Sequence, residues 1–208
     1  MRLLKLVAAL APALTAAACA NMSGPPPVVS LAGRQCDTAP KLDKAQPVVF
    51  NPEQSLTVKL DAEAACLQTE DGSRSTYAVF RLPEATEPYI LSVTSRPQGQ
   101  GLISPRLVLL DDKGARTRER VGESPTFQGA SLYAGVRARP EERYLIVLSD
   151  PRTAGQSVSH IVTSAQTTTV STGTAFFVMS SGAEGNRVLT YAHNGDLTVT
   201  VRPVPTIN

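Results

Sequence analysis

The chain has 208 residues, of which 20 are Lys or Arg and 18 are Asp or Glu, so the formal net charge is +2. Only 5% of the residues are aromatic, none is Trp, and three are Cys. No run or stripe of Lys and Arg is present, which excludes a basic surface for nucleic acid or anionic lipid. A chain of this length suits one folded domain after a targeting segment.

Residues 1–18 have the features of a secretory signal peptide. Arg2 and Lys5 precede a short apolar run, Leu6 to Leu14, and the small residues Ala16-Ala17-Ala18 follow. The apolar run is too short for a membrane span. Removal of this segment leaves 18 basic residues against 18 acidic ones, so the mature body is near neutral.

Cys19 follows these small residues directly, an arrangement that resembles the lipobox of bacterial lipoproteins. In that family the Cys thiol receives a diacylglycerol, the signal is cut before it, and the new amino group is acylated. Two or three acyl chains make a lasting anchor, since each buried methylene contributes about 0.8 kcal/mol. Ala20, rather than Asp, favours the outer membrane of a Gram-negative bacterium. The alternative is an ordinary exported protein cleaved near Ala18 or Ala20.

Residues 19–48 are predicted to form a tether. They contain Gly24-Pro25-Pro26-Pro27, and Pro40 and Pro47 follow. Pro-rich chain of this kind is extended, at about 3.1 Å per residue where it is polyproline II. The alternative is that the part after Cys36 packs along the domain.

Cys36 and Cys66 are the two cysteines that remain after lipidation. An even pair in an oxidising compartment predicts a disulfide. Closing a loop of about 30 residues would stabilise the fold by about 3 to 4 kcal/mol. The alternatives are two free thiols or a metal pair, although neither C-x-x-C spacing nor a nearby His accompanies them.

Residues 49–208 form the predicted domain, through which apolar and polar residues alternate with period two. Short runs of this kind, separated by Gly, Pro and Asp turns, predict an all-β fold: a jelly-roll-like antiparallel β-sandwich with a C-terminal hairpin extension. Asn194-Gly195, between two alternating runs, predicts the turn of that hairpin. Residues 61–68 are the one stretch with the pattern of a short helix. The predicted strands are 55–60, 77–82, 89–94, 106–110, 131–136, 143–148, 174–179, 187–191 and 197–202.

Three segments resemble the MalM family of periplasmic proteins from maltose operons. Residues 75–83 contain an F-x-L-P strand, residues 104–111 an S-P-x-x-x-x-L-D strand, and residues 142–150 a Y-L-I-V-x-S strand. The resemblance spans about residues 49–155 and implies an envelope location, an association with carbohydrate uptake, and no catalytic residues. The layout is also similar to the β-sandwich of bacterial pre-peptidase C-terminal domains.

Residue patterns typical of catalysis or metal binding are scarce. His160 and His193 lack H-x-x-x-H and C-x-x-C spacing, so no metal site is predicted. Gly-x-Ser-x-Gly, Walker and dinucleotide motifs are absent. Asp111-Asp112-Lys113-Gly114 favours a β-turn with Gly at positive φ over an acid/base pair, and Glu141-Glu142 is expected to be solvated. We therefore predict no catalytic residue, no cofactor and no enzymatic activity.

Tyr133, Tyr191 and His193 are the candidate binding surface. They are the rings expected to be exposed, and the last two lie beside the Asn194-Gly195 turn. The alternative is that these rings pack against the sandwich or close its edges.

We expect a lipid-anchored, periplasm-facing accessory protein of carbohydrate uptake that binds a glycan or docks to a transport component. The alternative is a structural or assembly lipoprotein that acts through protein–protein contacts. The expected partners are the membrane, through the lipid anchor, and a glycan or an envelope protein, but not nucleic acid.

Overall fold

The computed structural model describes residues 28–51, 54–120, 126–171 and 176–205. No helix within these ranges is both long and apolar enough to cross a membrane. A 3-10 helix is formed by Leu42–Lys44, and the strands are β1 (Gln46–Pro47), β2 (Leu56–Leu60), β3 (Cys66–Gln68), β4 (Arg74–Arg81), β5 (Tyr89–Arg96), β6 (Gly101–Leu102), β7 (Pro105–Leu110), β8 (Arg116–Arg120), β9 (Thr126–Gln128), β10 (Ser131–Ala138), β11 (Tyr144–Ser149), β12 (Ser157–Ser171), β13 (Phe176–Tyr191) and β14 (Gly195–Pro203).

Two sheets make the body of the fold. The first has the strand order β1-β4-β11-β7-β8, with β3 also paired to β4, and the second has the order β2-β14-β5-β10-β9. Neighbouring strands in both sheets are antiparallel, except for β1 beside β4. The prediction of an all-β, antiparallel sandwich is confirmed.

The main core lies between the two sheets. Leu91 and Val93 of β5 point inward, while Ser92 between them points to the other face, because successive side chains of a strand alternate. Leu91 and Val93 pack against apolar residues at alternate positions of the other central strands. The core residues below 1% exposure are Phe80, Leu91, Val93, Ile103, Leu107, Leu109, Ala138, Leu145, Val147, Leu197, Val199 and Val201.

A second apolar layer covers the outer face of the first sheet. Tyr77, Val79, Ile146 and Leu148 form its floor, and Leu42 packs against it. The Tyr77 hydroxyl donates a hydrogen bond to Asp37 Oδ2 (3.0 Å) and accepts one from the Lys41 amide (3.2 Å).

Residues 28–48, which were predicted to belong to a tether, pack on the domain instead. Leu31 and Val48 are buried, and β1 pairs with β4. The predicted disulfide between Cys36 and Cys66 is confirmed, with the Cα atoms 4.7 Å apart. Residues 28–48 therefore lie along the domain, as the alternative for the stretch after Cys36 anticipated.

The short helix considered for residues 61–68 does not form. A turn closed by the Ala64 amide on the Asp61 carbonyl (3.2 Å) occupies its first half, and Cys66–Gln68 is strand β3. The Cys66 backbone pairs with Thr76 of β4, and its side chain is bonded to Cys36. These tertiary contacts outweigh the local helical preference of Ala and Glu.

The hairpin predicted at Asn194-Gly195 is wrong, although a hairpin does form near the C-terminus. β13 pairs with β12 and β6, whereas β14 pairs with β2 and β5. The inward residues of β14, such as Leu197 and Val199, are fully buried in the main core. Because that burial requires a place between β2 and β5, β14 leaves the direction of β13 and crosses into the second sheet.

The hairpin that forms is β12 with β13. Its 15 and 16 residues are paired from Ser157 opposite Thr190 to Ser171 opposite Phe176. The predicted strands 174–179 and 187–191 are parts of one continuous strand, β13. Residues 174 and 175 of the first predicted strand lie outside the described residues. β12 was not predicted, because Ser and Thr fill both faces of much of this strand and the alternation is weak.

Candidate functional site

The three rings of the candidate binding surface are not brought together. Tyr133 lies on the outer face of the second sheet, since its neighbour Leu132 points inward. Its hydroxyl oxygen is 2.7 Å from Ser92 Oγ. Tyr191 is half-buried and packs with Leu132 and Leu189 on the inward side, and burial raises the pKa of Tyr191. Tyr191, which belongs to β13 and not to the second sheet, therefore lies on the inner side of that sheet, whereas Tyr133 lies on its outer face.

His193 is 9% exposed, which corrects the expectation of an exposed ring. The Thr76 amide donates to Ser149 Oγ (3.1 Å), and Ser149 Oγ is 2.7 Å from His193 Nδ1. Burial lowers the pKa of His193, so the imidazole is neutral near pH 7 and shares one hydrogen bond with the Ser149 hydroxyl. Ser149 is fully buried, and the pair joins β4 and β11 to the segment before β14.

Glu142 is fully buried, which corrects the expectation that it is solvated. Arg118 binds it through two hydrogen bonds, at 2.6 and 2.8 Å, and the Arg139 amide donates a third at 2.7 Å. Burial alone would raise the pKa of Glu142, but the hydrogen bonds from Arg118 and Arg139 lower it overall. This carboxylate therefore serves as a structural anion for β8 and the β10–β11 turn.

The turn predicted at Asp111 is confirmed. Asp111 Oδ1 accepts hydrogen bonds from the amides of Lys113 (2.9 Å) and Ala115 (2.8 Å). Gly114 has a φ of +79°, which a residue with a side chain rarely adopts. The Asp111 carboxylate thus caps the β7–β8 connection, as the sequence indicated.

One end of the sandwich carries a cleft of about 570 Å³, which we call the end cleft. It lies where β4 leads into β5, where β11 begins and where β14 ends. Phe50, whose side chain is 43% exposed, meets the buried ring of Tyr89 edge-on with centroids 4.9 Å apart. The lining residues are Phe50, Glu84, Ala85, Thr86, Glu87, Pro88, Tyr89, Arg143, Pro203 and Val204.

Two buried hydrogen-bond donors of this cleft have no partner in the described part of the chain. They are the Tyr89 hydroxyl and Arg143 Nη1. Leaving such a group unsatisfied costs about 1 to 3 kcal/mol. Burial raises the pKa of Tyr89, and the nearby Glu142 carboxylate adds to this effect, so the phenol keeps its proton. The neighbouring Glu142 is already bound to Arg118, and no ion pair with Arg143 is found among the described residues.

A second cleft, of about 380 Å³, lies over the apolar layer of the first sheet. The charges at its rim already have partners: Arg106 is bonded to Glu119, which also contacts Arg116 at 3.2 Å. Hydrogen bonds from Thr69 and Ser73 lower the pKa of Asp71 to about 2. This cleft therefore presents apolar surface and satisfied charges, in contrast to the end cleft.

The sequence interpretation missed the end cleft because its residues come from four separate segments. Tyr89 was assigned to a strand, which is correct, and the exposure of Phe50 has no local signal. Pro83 and Pro88, on either side of an acidic stretch between β4 and β5, were the available sign of a shaped loop. Cys19 and the signal peptide lie outside the described residues. No group of three or more His, Cys, Asp or Glu that could hold a metal occurs in the described ranges.

No protein-family model matches the chain. No curated protein matches it either. Among solved structures, the chain is similar to the pre-peptidase C-terminal domain of collagenase from Bacillus anthracis, with a TM-score of 0.34 and 11% sequence identity. The match covers 76% of this chain and 93% of that one. That neighbour is of the domain class named from the sequence.

Proposed function

We propose that the protein is an outer-membrane lipoprotein facing the periplasm that binds neutral saccharides at the end cleft. It would serve carbohydrate uptake without catalysing a reaction, in the way that the MalM resemblance implies. The observation that carries the proposal is the combination, in one cleft, of the exposed Phe50 ring with two unpartnered donors on Tyr89 and Arg143.

The donors and acceptors of the cleft match the chemistry of a sugar. A hydroxyl group both donates and accepts, so it can accept from Tyr89 and Arg143 and donate to the exposed carboxylates of Glu84 and Glu87. Both orphaned donor atoms are shielded from solvent. Binding would therefore require the Phe50 ring to move aside, after which its apolar surface could pack on the sugar ring.

The charge of the cleft favours a neutral ligand. Two carboxylates, Glu84 and Glu87, face one guanidinium, Arg143, so the lining is net negative and disfavours an anionic sugar. A cationic ligand is disfavoured at the base of the cleft, because the unpartnered groups there, on Tyr89 and Arg143, are hydrogen-bond donors and a cation does not accept hydrogen bonds. A polyhydroxylated neutral molecule is the class that satisfies both conditions.

The position of the cleft suits a protein anchored at its N-terminus. The Leu31 carbonyl accepts a hydrogen bond from Arg74 Nη1 (3.1 Å) at the beginning of β4, whereas the cleft lies beyond the end of β4. If Cys19 is lipidated, the chain arrives from the membrane at the opposite end of the sandwich. The cleft would then face away from the lipid, where a soluble glycan can enter.

Titration calorimetry on the full-length protein in detergent would test this proposal, with maltoheptaose and cellohexaose as neutral probes and oligogalacturonate as an anionic one. We expect a neutral probe to bind and the anionic probe to bind at least ten-fold more weakly. Arg143→Gln and Phe50→Ala should each weaken binding by ten-fold or more.

Arg139→Gln is the matched control, because the Arg139 side chain is exposed, lies outside the lining of the cleft, and forms an ion pair with Glu141 at 3.8 Å. It should leave the affinity within two-fold of the wild type. Failure of both neutral probes to bind, or an equal loss in the control, would contradict the saccharide role.

The second candidate function, assembly of an envelope complex, is favoured by the long β12–β13 hairpin. Each of its strands is about three times the length of an average strand. A partner protein captured from detergent-solubilised envelope by the full-length chain, but not by a chain with a shortened hairpin, would support this function over sugar binding.

A further inference from the structure

The arm, formed by β12 (Ser157–Ser171) and β13 (Phe176–Tyr191), is joined to the sandwich at its base, as far as the structure describes it. At its base, Thr190 and Tyr191 pair with β6, and Val158 and Leu189 pack with Leu102 and Leu132. Fifteen residues at about 3.3 Å each give a ribbon roughly 50 Å long. An isolated two-stranded ribbon is marginally stable in water, so most of this length requires a further strand or surface.

One edge of the arm is open along its whole length. The strand order is β12-β13-β6, so within the described residues β12 pairs with β13 alone. Its outward N–H and C=O groups are a template for another strand. Three large apolar side chains, Ile161 (66% exposed), Val178 (67%) and Val188 (52%), lie on one face of the ribbon, as the register of the hairpin shows.

The outer strands of the two main sheets, within the described residues, carry features that disfavour strand addition. The edge strand β8 is Arg-Thr-Arg-Glu-Arg, β2 has five residues and includes Lys59, β9 has three residues, and β1 has two and ends in Pro47. Charge, short length and Pro are the usual means of blocking an edge. β12 has none of these: its fifteen residues include no Lys, Arg, Asp, Glu or Pro.

We infer that the arm pairs, along the free edge of β12, with β12 of a second copy of this chain. An antiparallel pairing about a two-fold axis at Ser164 would place Val158 opposite Val170 and Ser159 opposite Thr169. Such a pairing is self-complementary, as a two-fold interface requires. It brings no two like charges together, because His160 is the only titratable residue of the strand and would oppose Thr168.

This inference is independent of the proposed sugar binding, since the end cleft lies at the other end of the sandwich. Tyr89 of the cleft is paired with Ala138 and Pro203, whereas the arm is rooted near Leu132, which is paired with Ser95 at the far end of β5. Loss of one function would not remove the other.

A shortened arm tests the pairing without depending on its register. Replacement of residues 162–185 by Asn-Gly joins Ile161 to Asn186, which already face each other across the ribbon, through a favoured hairpin turn. Light scattering of the full-length protein in excess detergent should give two chains per particle at micromolar concentration. The shortened chain should give one. A shortened chain that is still dimeric, or an intact chain that is monomeric, would overturn the inference.

Cysteine cross-linking in membranes then tests the edge used. Ser164→Cys places a thiol at the proposed axis, and Ala183→Cys, its cross-strand neighbour on β13, is the matched control one strand further away. Under mild oxidation, Ser164→Cys should give a disulfide-linked dimer at least ten-fold faster than Ala183→Cys. If Ala183→Cys is as fast or faster, β12 is not the pairing edge and the inference fails.

Discussion

Buried polar side chains define the chemistry of this protein at the scale of single residues. Glu142 and Arg118 satisfy each other, and Ser149 satisfies His193. Tyr89 differs, because its hydroxyl is buried and has no partner among the described residues. A satisfied polar group contributes to stability, whereas an orphaned one costs stability.

Tyr89→Phe should therefore separate stability from binding. Removal of an unpartnered hydroxyl, at nearly constant ring volume, should leave the free energy of unfolding unchanged or raise it by up to about 1 to 3 kcal/mol. The same change should weaken saccharide binding several-fold. Urea unfolding and calorimetry on one preparation measure both. A destabilisation greater than about 1 kcal/mol would mean that the hydroxyl has a structural partner.

His193 should make stability depend on pH. Its pKa is lowered by burial in the folded state and is about 6.5 in the unfolded chain. Its contribution is therefore fully present above pH 6.5 and is lost as the pH falls through the folded-state value. Each unit of difference corresponds to about 1.4 kcal/mol. Urea unfolding at several pH values between 7.5 and 5 should show this loss.

His193→Gln isolates that contribution, because glutamine does not titrate in this range. The variant should be less stable than the wild type at pH 7.5, because the substitution removes the hydrogen bond between Ser149 and the imidazole. Its free energy of unfolding should depend less on pH than that of the wild type. His160→Gln controls for the removal of a histidine as such. An unchanged slope in His193→Gln would assign the pH dependence to other groups.

At the scale of elements, the crossing from β13 into the second sheet depends on close packing at Gly195. This residue has a φ of +155°, and a Cβ there would lie 3.1 Å from Cγ1 of the fully buried Ile103. The segment before it is held by the Ala192 amide, which donates to the Leu102 carbonyl at 2.8 Å. The chain thus changes sheet within a few residues, and Gly is required by space as well as by backbone angle.

Gly195→Val should lower the free energy of unfolding by about 2 kcal/mol or more, because a β-branched side chain would overpack Ile103. Gly185→Val is the matched control: its Cβ would meet nothing within 4 Å, and we expect a change within about 0.5 kcal/mol. Chemical unfolding of both variants decides the comparison. Equal effects would show that the contact with Ile103 does not limit this position.

At the scale of the whole molecule, the two proposed interaction sites lie at opposite ends of the sandwich. The end cleft follows the end of β4, while the arm and the disulfide at Cys66 are near its beginning. The N-terminal segment also reaches the fold near the beginning of β4, through Arg74 and Leu31. If Cys19 is lipidated as predicted, the root of the arm would lie on the same side of the sandwich as the anchor, and the cleft on the opposite side.

Cys19→Ser should release the protein from membranes, since it removes the predicted acylation site. Fractionation of cells that express the variant should move most of the protein to the soluble fraction, with no incorporation of radiolabelled palmitate. Cys36 and Cys66 provide the control, because they form a disulfide and should stay unlabelled. Palmitate in the Cys19→Ser variant would contradict the lipoprotein prediction.

Features that depend on residues close together in the chain could be predicted from the amino-acid sequence. Alternation placed β2, β5, β7 and β11 close to their observed positions, and the Asp111 turn follows from a carboxylate and a Gly a few residues apart. The disulfide followed from cysteine count and compartment. Local conformational preference and side-chain periodicity act over a few residues, so they can be read without the fold.

The way in which these elements are combined depends on contacts between residues that are distant in the chain. Asn194-Gly195 has the pattern of a hairpin turn, yet β14 pairs with β2 and β5, because three of its residues are fully buried in the core there. The burial of Glu142 and His193 depends on Arg118 and Ser149, which are distant in sequence. The end cleft likewise combines Phe50, Tyr89, Arg143 and Pro203. Strand pairing is a competition among all apolar surfaces of the chain, and its outcome has no local signature.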